Sequence, residues 1–388
     1  MYYYESMSKQ AIKHNQTVCG DVLENTRIKS GSYFGVFDGI GSGIYANIAA
    51  TECASRWSAM IERGLSFSET CEKMATLMHK ARTHPFPFTA FNCAKLTSKG
   101  HVQIFTYEAP KPVMVRNGVV HVIEPRYYTV GYEIIGESKT SVQAGDQILL
   151  FSDGVSQAGL GNGYKMGWGE TGLLEFYNKI CSEKSGEGSK GQTKPPELLE
   201  CILDQCKNLS GGKHYDDTSM LIISCKVPKH LHIFTGPPSA KDKDKFFAAA
   251  FQKASGIKMI CGSTTADILS RELNEPIKLK EQGMGFNSPP EYAMKGAAMV
   301  TEGAMVLNQV CNILDADPIE VTEETSPERI ANHFYNADVI HFHVGNAKNK
   351  SHQLLPFRQL GLKLRYDVLK DIEQKLKQRG KTVFFDFY

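Results

Sequence analysis

Between residues 88 and 123 the chain runs through short apolar segments separated only by tight turns. Ala90–Leu96 is followed by Ser98-Lys99-Gly100, then Val102–Tyr107, Val113–Val115, Asn117-Gly118 and Val119–Ile123. Asn-Gly tolerates positive φ at both positions and marks a hairpin. Ala144-Gly145-Asp146 is a further turn, leading into Gln147–Phe151. Such turns join antiparallel neighbours, because a parallel pairing needs a long crossover. Helical patterns flank this meander. Ile44, Ile48, Trp57, Met60 and Ile61 mark one helix face that stops at Gly64; Cys71, Met74, Leu77, Met78 and Ala81 mark the next, behind a capping box at Ser66–Glu69. A third runs from Pro196 through Leu198, Leu199, Ile202, Leu203, Cys206 and Leu209 to Gly211-Gly212. Consecutive antiparallel strands enclosed by helix pairs predict an α+β sandwich, not a doubly wound sheet.

A second domain begins near Pro228, so the chain divides as 1–228 and 229–388. Strand patterns at 231–234, 257–261, 298–301, 339–344 and 382–387 alternate with helical ones at 240–254, 264–273, 302–314, 327–335 and 365–379. This alternation predicts a C-terminal α/β domain with some parallel pairing. The polar stretch from Ser182 to Glu197 has no periodicity and reads as a mobile loop.

Composition sets outer bounds. No run approaches the ~18 apolar residues of a membrane helix, and the N-terminus lacks the pattern of a secretory signal, so a cytoplasmic protein is expected. With 44 Lys+Arg against 42 Asp+Glu, no charge-driven pull toward nucleic acid or a membrane surface is expected. Ten cysteines without a Cys-x-x-Cys read as reduced thiols in core positions.

Charge matters locally instead. Asp38 ends the apolar strand Phe34–Phe37 and precedes Gly39. Asp153 follows Leu149-Leu150-Phe151-Ser152, and Asp216-Asp217 stand just before Ser219–Ile223. Asp21 follows Cys19-Gly20. Adjacent strands bring such acids to one sheet edge. Clustered carboxylates resist ionising together, and hard divalent cations such as Mg²⁺ and Mn²⁺ relieve that repulsion. Two such ions clamp a phosphate oxygen and activate a water. Each Asp-Gly alone is also an ordinary turn dipeptide; the order of the four motifs carries the signal.

Phe34-Gly35-Val36-Phe37-Asp38-Gly39-Ile40-Gly41-Ser42-Gly43 resembles the metal-site motif of the protein phosphatase 2C-like serine/threonine phosphatases, in the form found in the stage II sporulation protein E branch. Cys19-Gly20-Asp21, Ser152-Asp153-Gly154 and Asp216-Asp217-Thr218-Ser219 resemble that branch's other motifs, in family order, between about residues 10 and 226. The resemblance implies two antiparallel sheets flanked by helices in an α-β-β-α sandwich. It also implies a two-metal site for Mn²⁺ or Mg²⁺. Asp38 would bridge both ions, the Gly39 carbonyl would bind one, Asp153 and Asp216 would hold the other, and Asp21 would add a ligand. Ser219 would orient Asp216. A water or hydroxide bridging the ions would attack a phosphoserine or phosphothreonine of a regulatory protein, notably of anti-anti-sigma type.

Ile40 stands where the eukaryotic-like branch has a His, so the leaving group's proton has another source; His214 is a candidate, and Lys213 is a weak candidate phosphate clamp. Two rival readings use the same residues. One is a catalytically inactive, phospho-dependent scaffold. The other is a dinucleotide fold built on Gly39-Ile40-Gly41-Ser42-Gly43, whose spacing departs from the Gly-x-Gly-x-x-Gly fingerprint.

In the second half, Cys261-Gly262-Ser263-Thr264 and Val300-Thr301-Glu302-Gly303 read as strand-to-helix turns whose amides suit a small anionic ligand. His341 and His343 share one strand face; packing or hydrogen bonding is their expected role, since no further ligands are evident. The basic run Lys375–Lys381 reads as a solvated helix end. This tail resembles the C-terminal part of some sporulation-E-type phosphatases, through "CGSTTADI" and "VTEG", which leaves ligand sensing, substrate docking or a homodimer as its roles.

Overall fold

The computed structural model describes residues 1–82, 88–184, 195–281, 289–318, 321–347 and 362–388. The chain divides into two compact units, Met1–Val227 and Pro228–Tyr388.

The first unit contains β1 (Tyr3–Ala11), β2 (Asp21–Ile28), β3 (Gly31–Gly39), α1 (Gly43–Glu62), α2 (Phe67–Arg82), β4 (Thr89–Leu96), β5 (His101–Tyr107), β6 (Val113–Arg116), β7 (Val119–Val122), β8 (Arg126–Val130), β9 (Glu133–Ser141) and β10 (Gln147–Phe151). Then come α3 (Asp153–Ser156), α4 (Gly169–Lys184), α5 (Pro195–Leu209) and β11 (Thr218–Lys226). One antiparallel sheet has the order β1-β11-β10-β6-β7 and the other β2-β3-β4-β5-β9-β8. Their inner faces meet through Phe34, Val36, Ile104, Ile148, Leu150, Leu221 and Ile223. Helices α1 and α2 pack on the outer face of the six-stranded sheet around Trp57, Phe67 and Phe105. Helices α3–α5 cover the other outer face around Phe151, Leu198 and Met220. The α-β-β-α sandwich is therefore present.

Local signals explain several element ends. Asn117 and Gly118, at φ 52° and 77°, turn β6 into β7. The Ser66 hydroxyl accepts from the Glu69 N–H while a Glu69 carboxylate oxygen accepts from the Ser66 N–H, closing the capping box. Helices take up both ends of the expected loop from Ser182 to Glu197. Helix α4 continues to Lys184, α5 begins at Pro195, and the rest lies outside the described residues. None of the ten cysteines forms a disulfide.

One expectation is corrected. Ile44 and Ile48 do not join Trp57 on the buried face of α1; they are 60% and 54% exposed, and the buried stripe is Ala46, Ala49, Ala50, Cys53, Ala54, Trp57 and Ile61. Small residues let α1 lie close on β2 and β3. The helix thus has two apolar faces, and periodicity alone does not say which one is inward.

The second unit contains β12 (His230–Thr235), α6 (Asp244–Lys253), β13 (Ile257–Cys261), α7 (Ser263–Leu273), β14 (Lys278–Glu281), β15 (Glu291–Ala293), β16 (Met299–Thr301), α8 (Ala304–Ile313), α9 (Ser326–Asn336), β17 (Val339–Val344), α10 (Arg365–Gln378) and β18 (Thr382–Phe387). Five strands, in the order β16-β13-β12-β17-β18, are mutually parallel. The hairpin β14-β15 extends the β16 edge antiparallel. Helices α6 and α7 cover one face around Phe234, Phe247 and Ile260; α8, α9 and α10 cover the other around Val306, Phe334 and Ile372. The parallel, doubly wound topology therefore belongs to this unit. The dinucleotide reading of Gly39–Gly43 fails, because β3 pairs antiparallel with both β2 and β4. No helix among the described residues is long and apolar enough to cross a membrane.

Candidate active site

The acids gather where both sheets of the first unit end. Asp21 opens β2 and Asp38 is the penultimate residue of β3, and the two are direct cross-strand partners. In the other sheet β10 and β11 pair antiparallel as far as Phe151 and Met220. The contact is prolonged by Ser152, whose N–H donates to the Ser219 carbonyl (3.0 Å) and whose hydroxyl accepts from the Ser219 N–H (2.9 Å). Asp153 and Asp216 follow and precede this clasp. Two glycines make the close packing possible. A Cβ on Gly154 would fall 2.2 Å from the Asp217 carbonyl oxygen, and one on Gly39 would fall 2.0 Å from that of Ala46.

These carboxylates lie close enough for their charges to act on one another. Burial, then the charges of Asp21, Asp153 and Asp216, push Asp38 up to about 9. Burial, opposed by the nearby hydroxyls of Ser219 and Ser152, leaves Asp21 up at about 7. Asp153 is raised by burial and Asp216, is hydrogen-bonded to Asp38, and accepts from Gln157 Nε2 at 2.6 Å. A like-charge pair ~4 Å apart repels by roughly 4 kcal/mol at an effective dielectric of ~20. Asp21 is 4% exposed, and its Oδ2 has no hydrogen-bond partner. An orphaned buried carboxylate oxygen inside an all-oxygen donor set fits a hard divalent cation.

Lys13, Gln157 and the structural role of Asp217 are not evident from the sequence. Lys13 brings its Nζ to 3.4 Å from Asp216 Oδ1 and lowers Asp153. No local pattern marks it; the pairing of Ala11 with Thr218 carries it there. Asp217, second in the Asp-Asp pair, accepts from the backbone N–H groups of Lys13 and Gly20, both at 2.9 Å, and so ties down the segment before β2. Gln157 lies one helical turn beyond Asp153. Ser219 differs from what the resemblance implied: its hydroxyl accepts from Gln10 Nε2 at 2.9 Å and makes no hydrogen bond to Asp216.

A cavity of about 130 Å³ opens beside Asp216, walled by Gly154, Gln157, His214, Tyr215 and Thr218. His214 Nδ1 lies 3.4 Å from the Thr218 hydroxyl, and burial holds its pKa below the usual imidazole value. That favours the neutral ring near pH 7 and weakens His214 as a proton donor. Lys213 is exposed.

No curated protein matches the sequence. Among solved structures, the chain is similar to the phosphatase domain of SpoIIE from Bacillus subtilis (14% identity, 58% of this chain and 93% of that one, TM-score 0.44). It is also similar to the RsbU and RsbW domains of a Mycobacterium tuberculosis protein (15%, 64% and 69%, 0.46). A third similar structure is the serine/threonine phosphatase PstP/Ppp of the same organism (12%, 58% and 99%, 0.39). The family model described as stage II sporulation protein E matches residues 30–226, about half of the chain. The chain belongs to that family, the metal-dependent protein phosphatases of the serine/threonine class.

Proposed function

We propose that the N-terminal unit hydrolyses phosphoserine or phosphothreonine esters on a regulatory protein of the anti-anti-sigma kind. Mn²⁺ or Mg²⁺, two ions per site, would be held by Asp38, the Gly39 carbonyl, Asp153 and Asp216, with Asp21 adding a ligand. When bound, such ions lower the pKa of water and neutralise phosphate charge. The chain's own part is to hold the donors. Asp217 fastens the segment before β2, Ser152 and Ser219 clasp the ends of β10 and β11, and Gln157 orients Asp153. Lys13 adds a cation beside Asp216 that suits an incoming phosphate. The single observation that carries the reading is the cross-strand pairing of Asp21 with Asp38, with the charge of Asp153 acting on both and the buried Oδ2 of Asp21 unpartnered.

A protein substrate, as against a small ester, is supported by the surface next to the site. Ile40, Ile44 and Ile48 follow one another at four-residue spacing and are all exposed, with Tyr45 beside them at 81%. An apolar stripe beside the reactive acids suits a protein partner. Phosphate release from phosphoserine and phosphothreonine peptides, against a phosphotyrosine peptide, tests the ester class. Equal or faster release from phosphotyrosine would contradict it.

For residues 229–388 we infer a regulatory role with a small anionic ligand at the carboxyl ends of the parallel strands. Gly262 and Gly303 precede α7 and α8 there; a Cβ on Gly303 would fall 3.2 Å from the Gly262 Cα, and Gly262 adopts φ 135°. Arg365, at the start of α10, donates to the Gly345 carbonyl after β17. A rise in Tm of the full chain with inorganic phosphate, reduced in Arg365→Gln, tests this; no rise contradicts it.

A further inference from the structure

Within the second unit, four histidines share one face of two neighbouring strands. Parallel pairing sets His232 opposite His341 and Phe234 opposite His343, while His230 precedes His232 by one alternation. The rings form a continuous ladder, with centroids 5.4 Å apart for His230–His341, 4.5 Å for His232–His341 and 5.4 Å for His232–His343. His341 and His343 alone suggest packing; the partners that the sequence does not reveal are on β12, more than a hundred residues away.

We propose that this cluster is a second metal site, distinct in chemistry from the carboxylate site: a nitrogen-donor site for a borderline divalent cation of the zinc class, held by His230, His232 and His341. The ligating atoms of these three residues all lie within 4.8 Å of one another. His230 Nδ1 and His341 Nε2 are 3.2 Å apart, close to the ~3.3 Å edge of a tetrahedron with metal–nitrogen bonds of ~2.0–2.1 Å. Turning the rings about χ2, a soft torsion, aims their lone pairs at one point.

The surroundings match a ligand set. His232 Nε2 lies 3.1 Å from the Ser255 carbonyl oxygen. A carbonyl only accepts, so that nitrogen carries the proton and Nδ1 keeps its lone pair on the side of the other imidazoles. A backbone acceptor that fixes the tautomer in this way is the usual support of a metal-binding histidine. His343 Nε2 is 3.1 Å from the same Nδ1, within reach as a fourth donor, and its own Nδ1 faces the Tyr388 hydroxyl at 3.2 Å. His230 also lines an open cavity of about 690 Å³, with Ser255, Gly256 and His333, which gives an ion a way in. Imidazole sets of this kind prefer zinc, copper, nickel or cobalt over the magnesium and manganese that suit carboxylates.

Cobalt distinguishes the two sites by colour, because a tetrahedral nitrogen site absorbs visible light far more strongly than an octahedral oxygen site. The full chain is stripped with EDTA and titrated with Co²⁺. The site predicts an intense visible band that saturates at one equivalent and bleaches on adding Zn²⁺. The band should be lost in His230→Gln/His341→Gln, while the Mn²⁺-dependent rise in Tm persists and shows that the variant is folded. If that double variant does not fold, the titration of the unaltered chain still decides. Only the weak octahedral spectrum in the unaltered chain, or an unchanged band in a folded variant, would overturn the site. Neither readout depends on phosphatase turnover.

Discussion

Asp21 and Asp38 are cross-strand partners at one end of the six-stranded sheet, so two mostly buried carboxylates stand side by side with no covalent or hydrophobic reason to do so. Their stability linkage has a definite sign. Asp38 is raised from an ordinary value near 4 to about 9. Between those limits the folded chain binds more protons than the unfolded chain, and stability falls as pH rises through the window. For protein stripped of divalent cations, Asp38→Asn should stabilise by about 1–2 kcal/mol at pH 8, roughly 2–8 °C in Tm, with little gain at pH 4. Mn²⁺ should raise the Tm of the unaltered chain more at pH 8 than at pH 5.5. Calorimetry at several pH values checks both.

Lys13 sits 3.4 Å from Asp216 and competes electrostatically with a cation there. Lys13→Met keeps the backbone N–H that bonds Asp217, so the fold should hold. Half-exposed ion pairs are worth ~0.2–1 kcal/mol, and Mn²⁺ binding measured calorimetrically should tighten by about 2–5-fold. The KM for a phosphate ester should rise, because the phosphate loses a nearby positive charge.

Glycine at 39 answers to space, and glycine at 41 to backbone angle. A Cβ on Gly39 meets the Ala46 carbonyl at 2.0 Å, whereas Gly41, at φ 116°, has nothing within 4 Å of its Cβ position. Gly39→Ala should cost about 1–3 kcal/mol by overpacking and displace α1 from the site. Gly41→Ala should cost about 1 kcal/mol from its strained backbone. Denaturant midpoints order the two.

The exposed isoleucines separate docking from chemistry. Ile44→Glu/Ile48→Glu removes apolar surface that contributes nothing to the core, so Mn²⁺-dependent hydrolysis of a small ester should stay within about twofold. Turnover of a phosphoprotein substrate should fall at least about tenfold, since each well-buried interface anchor contributes ~1–2 kcal/mol or more. Equal losses on both substrates would contradict a docking role.

What was legible in the sequence follows from range of interaction. Turns, caps and strand ends are local, so Asn117-Gly118, the Ser66 box and the acids at strand termini announce themselves. The direction in which α1 buries is not local: alanines and isoleucines both recur at helical spacing, and the sheet beneath chooses the smaller ones. Lys13 reaches Asp216, and His230 reaches His341, only through strand pairings more than a hundred residues apart. Strand β1, whose charged and polar outer face hides its period, also escapes notice, and with it the cation beside the acids.

On the proposed function, the carboxylates around Asp38 act on phosphate esters through divalent cations. Hydrolysis of p-nitrophenyl phosphate by the full chain, with Mn²⁺ and with EDTA, compared between the unaltered protein and Asp38→Asn, tests it most directly. The account predicts Mn²⁺-dependent turnover that EDTA abolishes. It further predicts that Asp38→Asn, folded and at least as stable as its parent without metal, loses more than the roughly 10–100-fold that removal of an outer-shell partner costs. Equal rates in the two proteins would contradict it.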